Sequence, residues 1–496
     1  MTEAKRPARV RVAPSPTGHM HLATARTALY DFLLARQTGG RFILRIEDTD
    51  VRRTVPGSEQ ELMDGLRWLG LEYDEGPDVG GPFGPYRQTE RRDLYLEHAK
   101  VLVDRGMAYP CFCTPARLEK MRAEQQRGKL PPQYDGLCRQ LDPDAARVRV
   151  GSGERHVIRF RMPKEGTTSA RDLLRGEIVI ENKNLDDYVL LKSDGLPTYH
   201  LAAMVDDHHM QITHVLRGAE WLSTFPLHVN IVRAFGWEEP EWVHLSLFLK
   251  PSGKGKLSKR DASEAIKDGY SVFVKDLQDL GFIPEGVLNW IVLMGWGVAE
   301  DDVLTLSDMV ERFDLQRLTA SPAAINFTKL DHFNGTHIRR LSDGEFARRA
   351  RPFFANLGLP VRDEVLERIA PLVKERVATL DAAPTMAGFF FREEVEPRLE
   401  DLMPKGMDSQ FATSVLTESI ALIESLPEFT AAQAEPAFRR LAERLARQAG
   451  EVFGVLRIAV TGQKISPPLF QSMEIVGRET VLRRLRAGVE LLAKGS

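Results

Sequence analysis

The sequence predicts an α/β protein: an open sheet with helices against it near the N-terminus, then an all-helical C-terminal region. Three observations predict it. Residues 10–46 read as strand, loop, helix and strand; from about residue 336 apolar residues recur every three or four positions; and 496 residues correspond to several domains at about 150 each.

The N-terminal elements follow from their residues. Val10–Ala13 reads as a strand, Pro14–Gly18 as a tight loop, and His21 onward as a helix with Leu22, Ala25, Leu29, Phe32 and Leu33 at helical spacing. Gly39-Gly40 stops that helix. Phe42, Leu44 and Ile46 then alternate with Ile43 and Arg45 as the next strand. Such a unit places its loop at the ligand crevice of an open α/β sheet, where a helix N-terminus favours anions. His21 opens the helix and Thr24, three residues on, faces the same way. Half the chain away, GKGKLSKRD carries Lys256 and Lys259 three apart among glycines, a loop suited to closing on a polyphosphate. Alone, HxxT is usually a helix cap and a Lys/Gly/Ser stretch a solvated loop. Paired in this order, with PSPTG and RIEDTD attached, they describe a phosphate-handling nucleotide site.

Further along, DLLRGEIVI and DYVLLKSDG suggest strands, and FARRARPFFANL, LERIAPLVKERV and FRRLAERLARQAGEVF suggest helices. Composition is that of an ordinary globular protein, 43% hydrophobic and 28% charged, and a net charge of −3 gives no overall basic signature for nucleic acid. Local basic patches do exist: Arg439, Arg440, Arg444 and Arg447, then Arg478, Arg483, Arg484 and Arg486. They read either as RNA contacts or as a solvated helix face. MTEAKRPARVRV lacks the apolar core of a signal peptide, and the longest apolar stretch, Val287–Ala299, is too short to span a bilayer, so a cytoplasmic protein away from membranes is expected.

At APSPTG (Ala13–Gly18), RIEDTD (Arg45–Asp50), YDEGP (Tyr73–Pro77), GPYRQTER (Gly84–Arg91), DGLPTYHLA (Asp194–Ala202), VDDHHMQITHVLRGAEWL (Val205–Leu222) and KLSKR (Lys256–Arg260) the chain resembles a class I aminoacyl-tRNA synthetase of the bacterial glutamyl-tRNA synthetase type. The likeness continues through GFIPEGVLNWIVLMGW and IAVTGQKISPPLF, so it covers essentially the whole chain. It implies a Rossmann-like catalytic core in residues 1–86 and 200–250 and a connective acceptor-binding insertion in 87–199. A KLSKR loop with a stem-contact region would occupy 251–335 and a helical anticodon-binding region 336–496. The implied reaction is ATP-dependent attachment of L-glutamate to the 3′ end of tRNA(Glu) through a glutamyl-adenylate, with Mg2+ accompanying ATP.

A glutamate site needs both signs of charge. Arg11 and Arg217 can each pair with a carboxylate, and Glu47, at the end of the RIEDTD strand, can hold the ammonium. The resemblance adds Ala13, Ser15 and Tyr199 for the amino acid. It adds Glu220, Trp221 and Leu249 for ATP, beside His21, Thr24, Lys256 and Lys259; of these His21, Lys256 and Lys259 are the expected catalytic residues. Two positions depart from the family pattern: Ala23 replaces the usual glycine where adenine packs, and Ala219 replaces an acidic residue common in relatives. Neither removes a charged group.

All three cysteines, Cys111, Cys113 and Cys138, fall in one short region. The spacing suits a structural zinc site, against the plainer reading of three buried thiols. Zinc-bearing members of the family have C-x-C…C-x-H; here Gln140 stands at the last position, and Tyr134 is the expected fourth ligand, as in related short paralogues.

Three alternatives compete with a charging enzyme. A paralogue that glutamylates a modified tRNA base would lack the 336–496 region, and a non-catalytic RNA-binding paralogue would lack His21, Lys256 or Lys259. A dehydrogenase would carry GxGxxG, which the opening segment lacks. MAGFFFREE (Met386–Glu394) has no arginine among Met386–Phe391 to reject an anticodon base, which leans toward accepting tRNA(Gln) as well. A monomer is expected.

Overall fold

A computed structural model describes residues 6–258, 270–297, 299, 302–403 and 408–494. It divides into two compact units, one of Met1–Asp276 with Leu288–Asn326, the other of Leu277–Val287 with Phe327–Ser496.

The first unit opens with strand β1 (Arg9–Val12), helix α1 (Leu22–Thr38) and strand β2 (Arg41–Leu44), with β1 and β2 parallel and in register Arg9↔Arg41 to Val12↔Leu44. Leu22, Ala25, Leu29 and Leu33 are wholly buried, as their spacing predicts. The helix starts one residue later than the pattern suggests because His21 is its cap, and it ends where Gly39 adopts φ 66°. β2 stops at Leu44: Ile46 makes only an isolated bridge, to Arg87. Phe42, Ile43 and Leu44 are all buried, so this strand is covered on both faces as parallel strands are.

Four more strands form a second sheet in the order β6–β5–β9–β8: β5 (Thr167–Asp172), β6 (Gly176–Glu181), β8 (His214–Gly218) and β9 (Glu241–Leu245). β9 runs parallel to both β8 and β5, and β5–β6 is an antiparallel hairpin. The DLLRGEIVI segment is therefore not one strand: Asp172 closes β5, a turn follows, and β6 begins at Gly176. β5 lies within residues 87–199 yet pairs with β9, so that stretch supplies strands to the larger sheet. The Thr213 amide donates to the Arg9 carbonyl at 2.9 Å, bringing β1 alongside β8. The same stretch carries the antiparallel sheet β3 (Ala108–Cys111), β4 (Val157–Phe160) and β7 (Val189–Leu191). Helix α2 (Tyr199–His209) packs against β7 and against helix α3 (Phe225–Phe235), which packs against β5 of the larger sheet.

In the second unit the described elements are helical from Phe327 onward. FARRARPFFANL lies in helix Asp343–Asn356 and most of LERIAPLVKERV in helix Asp363–Val373. FRRLAERLARQAGEVF breaks into two helices, Ala431–Arg444 and Ala449–Thr461, because Ala446 takes φ 52° and Gln448 with Glu451 caps the second. One core gathers Phe346, Phe354, Ile369 and Phe389–Phe391; a second gathers Leu416, Phe438, Leu456 and Leu485.

The arginine patches do not survive intact as an open basic face. Arg484 is buried, donating to the carbonyls of Val460, Phe389 and Arg392, and burial pushes its pKa down to about 10. Arg439, Arg444 and Arg486 pair with Glu435, Glu418 and Glu424. No described helix is long and apolar enough to cross a membrane.

Candidate active site

The ends of β1 and β8, the start of α1 and the segment before α2 surround a cavity of about 1290 Å3 in the first unit. Arg11, Ala13, Ser15, His21, Thr24, Glu47, Tyr199, Arg217, Glu220, Trp221 and Lys256 all line it, as does Ala23. Leu249, on the short strand β10 (Phe248–Leu249), is absent from the lining, where its neighbours Leu247 and Phe248 stand instead. Lys259 lies outside the described residues.

Charge on the floor is arranged by residues distant in sequence. Arg11 donates from Nε and Nη2 to the two carboxylate oxygens of Asp207, at 2.9 and 3.2 Å. Its bidentate face is therefore occupied. Arg45, wholly buried, donates to Asp207 at 2.7 Å and to Glu47 at 3.1 Å, with Asp206 at 3.7 Å. Asp206 is also held by Arg91, Gln88 and Tyr95. Burial would raise the Asp207 carboxyl, but Arg11 and Arg45 outweigh it and hold the group below its ordinary range. At Glu47 burial wins over the same two arginines, and its pKa rises to about 7.

Arg217 is placed differently. It stands opposite His244 in the β8–β9 register and donates from Nε to His244 Nε2 at 3.0 Å. Its Nη1 pairs with His228 Nδ1 on α3 at 2.9 Å. Behind these rings, His244 Nδ1 meets Asp172 Oδ2 at 2.7 Å and His228 Nε2 meets His200 Nδ1 at 2.9 Å. Burial drives both His200 and His244 down to about 4, and His228 well below its ordinary value. Arg217 Nη2 is buried and has no hydrogen-bond partner.

At the mouth of α1, His21 Nδ1 accepts the Ala23 amide at 3.0 Å, which places the proton of the neutral ring on Nε2. The HxxT pair is thus both a helix cap and part of the cavity wall. Tyr199 stacks on Trp221 with ring centroids 4.0 Å apart, forming a flat aromatic surface. Lys256 Nζ reaches Glu220 at 3.1 Å, so these two residues expected at the nucleotide site are paired here. Ala23 sits in the first turn of α1, where its amide serves the His21 ring.

In the insertion, the three cysteine sulfurs lie within 4.8 Å of one another, the only such group among the described residues. The Tyr134 hydroxyl is 3.5 Å from Cys111 Sγ and 3.4 Å from Cys113 Sγ, and it accepts the Cys138 amide at 2.8 Å. Three thiols converging in this way are compatible with a tetrahedral metal site, with the phenol oxygen beside them.

Sequence reasoning missed Asp207, His228, His244 and Asp172. It also missed Arg26, buried beside the cavity with its guanidinium 3.9 Å over the Phe248 ring. Asp207 stood in a quoted motif and Asp172 opens the DLLRGEIVI segment, but neither was assigned to the site; His228 and Arg26 come from helices α3 and α1 and His244 from β9, brought together by packing that no local pattern reveals.

Comparison with known proteins places this geometry. The family described as "tRNA synthetases class I (E and Q), catalytic domain" matches residues 7–332, and an "Anticodon binding domain" family matches 345–489. The fold and its paired nucleotide motifs are those of a class I aminoacyl-tRNA synthetase. The chain is 42% identical to a glutamate–tRNA ligase of Roseiflexus castenholzii, over 98% of this chain and 97% of the relative. It is 40% identical to one of Dehalococcoides mccartyi, over 98% of each. A crystal structure of a glutamate tRNA ligase from Elizabethkingia meningosepticum in complex with its amino acid superposes with a TM-score of 0.87 at 36% identity, over 98% of this chain and 99% of that one. The chain belongs to the glutamate–tRNA ligase family.

Proposed function

We propose that the protein attaches L-glutamate to the 3′ end of tRNA(Glu), using ATP with Mg2+ and releasing AMP and diphosphate. One observation carries the reading beyond family membership. A single cavity holds a buried guanidinium with an unpartnered N–H, a carboxyl group and a helix N-terminus capped by His21. These match the side-chain carboxylate and ammonium of glutamate and the phosphates of ATP.

In this reading Arg217 takes the side-chain carboxylate and Glu47 the ammonium, with Ala13, Ser15 and Tyr199 shaping the space between. The α-carboxylate oxygen then attacks the α-phosphorus and diphosphate leaves. A ribose hydroxyl of the tRNA terminus next attacks the carbonyl carbon, expelling AMP. His21, Thr24, Lys256 and Lys259 stabilise negative charge on the phosphates, and no side-chain nucleophile is needed. Trp221 and Glu220 flank the nucleotide, and Lys256 leaves Glu220 when phosphate arrives.

Cys111, Cys113, Cys138 and Tyr134 hold a zinc ion in a closed site whose role is structural. The enzyme acts as a cytoplasmic monomer and also accepts tRNA(Gln), since Met386–Phe391 carry no arginine of their own to reject an anticodon base. Charging separately transcribed glutamate and glutamine tRNAs with labelled glutamate tests both points. No charging of either would overturn the reading, and charging of the first alone would restrict it to tRNA(Glu).

A further inference from the structure

Among the buried arginines of the first unit, Arg26 donates to the Ser246 and Met294 carbonyls and Arg159 to the Asp187 carbonyl; the four others, around the charged floor, fall into two kinds. Arg11, Arg45 and Arg91 are all cancelled by carboxylates, namely Asp206, Asp207 and Glu47. Arg217, only 5% exposed, has no carboxylate in contact: two imidazoles receive its N–H groups. The polarity of these bonds is fixed, because a guanidinium only donates. His244 Nε2 and His228 Nδ1 must therefore accept, and the protons of the two neutral rings sit on the opposite nitrogens. From there His244 Nδ1–H donates to Asp172 and His228 Nε2–H donates to His200 Nδ1. Asp172 is not able to turn toward Arg217. Its Oδ2 also accepts the His244 amide at 2.9 Å, and its Oδ1 accepts the amides of Leu174 and Arg175 at 2.9 and 3.0 Å. The Tyr199 hydroxyl is a further, neutral neighbour of the guanidinium, and Asp207, already bonded to Arg11 and Arg45, acts on it only through space, opposed by Arg11. Trp242 and Phe225 lie 5.1 and 5.9 Å from the guanidinium carbon, closing its other sides with aromatic rings.

We infer that His228 and His244 are positioning residues that hold Arg217 as an uncancelled cation with Nη2 presented to the substrate, and that this arrangement selects a side-chain carboxylate over the matching carboxamide. The inference rests on the assignment of Arg217 to the amino-acid side chain. A carboxylate meets a full positive charge in a water-poor pocket. A carboxamide loses that attraction, and its NH2 finds no acceptor on the two imidazoles, whose lone pairs face Arg217. Neutral acceptors suit this work because they orient the fork without lowering its charge; a carboxylate in their place would orient it equally well and cancel it.

The test is steady-state charging with glutamate and with glutamine, at saturating ATP and tRNA. His228→Leu leaves Nη1 unpaired and is expected to raise the glutamate KM about tenfold to a hundredfold. Its kcat and ATP KM should stay within about threefold. The glutamate-to-glutamine ratio of kcat/KM should fall at least about tenfold. His228→Asn restores an acceptor at the Nδ1 position, and His244→Gln keeps one at the Nε2 position of that ring, so each should lose far less than the leucine variant at its site. His228→Asp is the sharpest variant, because it keeps an acceptor yet adds a charge: it should melt near the parent temperature and lose glutamate selectivity as severely as His228→Leu. If His228→Leu fails to fold, His228→Asp and His228→Asn decide the matter alone. A His228→Asp enzyme that folds and retains the parent glutamate KM and selectivity overturns the inference. Arg217→Ala separates the two levels. If it leaves the glutamate KM unchanged, the assignment of Arg217 fails. If it raises KM while the histidine variants alter neither KM nor selectivity, only the present inference fails.

Discussion

Glu47 makes glutamate affinity depend on pH, and the structure sets the size of the effect. Burial lifts this carboxyl from its ordinary value near 4.5 to about 7, against the pull of Arg45 and Arg11. Its folded pKa therefore exceeds its unfolded one, so its contribution to stability is complete below about 4.5 and is lost as pH rises through about 7. An ammonium bound at Glu47 reverses that loss, because it favours the charged form. Only the ionised carboxylate binds the ammonium well. With a midpoint of about 7, the ionised fraction falls from about 0.9 at pH 8 to about 0.1 at pH 6, and apparent affinity falls about tenfold. The nearby imidazoles His200 and His244 titrate near 4, outside that window. Equilibrium binding of labelled glutamate across pH 6 to 8 measures the change, with Glu47→Gln as the control that should flatten it. Thermal shift by glutamate should grow over the same interval in the parent alone. A parent affinity that is flat in pH, or a Glu47→Gln affinity that keeps the slope, would refute the reasoning.

Arg45→Met should cost about 3–5 kcal/mol, since it leaves Glu47 and Asp207 buried with one partner fewer, and urea denaturation monitored on the catalytic unit measures it. The same variant should raise the midpoint of the glutamate pH profile. Asp31, wholly buried in α1 with neither carboxyl oxygen hydrogen-bonded, has its pKa raised by burial. Its contribution to stability is thus present below its unfolded pKa and lost with rising pH, so Asp31→Leu should gain about 1–3 kcal/mol at neutral pH and less near pH 4. Protein purified without chelator should carry about one zinc per chain by elemental analysis. Cys113→Ser should lose the metal and lower the melting temperature, while equal melting with and without chelator would favour three buried thiols.

Much of this was legible in the sequence where the signal is local. The α1 core positions and its Gly39 stop are periodicity and capping and appear where expected, and its start differs by the one residue that His21 takes as cap. Tyr199, Trp221, Glu47 and Arg217 line the same cavity because each belongs to a motif at a strand or helix end. What escaped depends on pairing across long stretches of chain. Asp172 meets His244 only because β5 and β9 are neighbours, seventy-two residues apart in sequence. Arg11 looked ready for a carboxylate, yet Asp207 occupies it from 196 residues away. Arg484 looked like surface charge because its helix is amphipathic, and only the packed carbonyls of Val460 and Phe389 reveal it as buried. The break at Ala446 hides for a related reason: its segment is apolar at helical spacing on both sides of the turn.

The central claim is that one cavity activates glutamate and that Arg217 reads its side chain. Charging of tRNA(Glu) with labelled glutamate by the parent and by Arg217→Ala tests it most directly. Robust charging by the parent is expected, with a glutamate kcat/KM lowered at least about a hundredfold in the variant and ATP KM little changed. Parent-level charging by Arg217→Ala would contradict it.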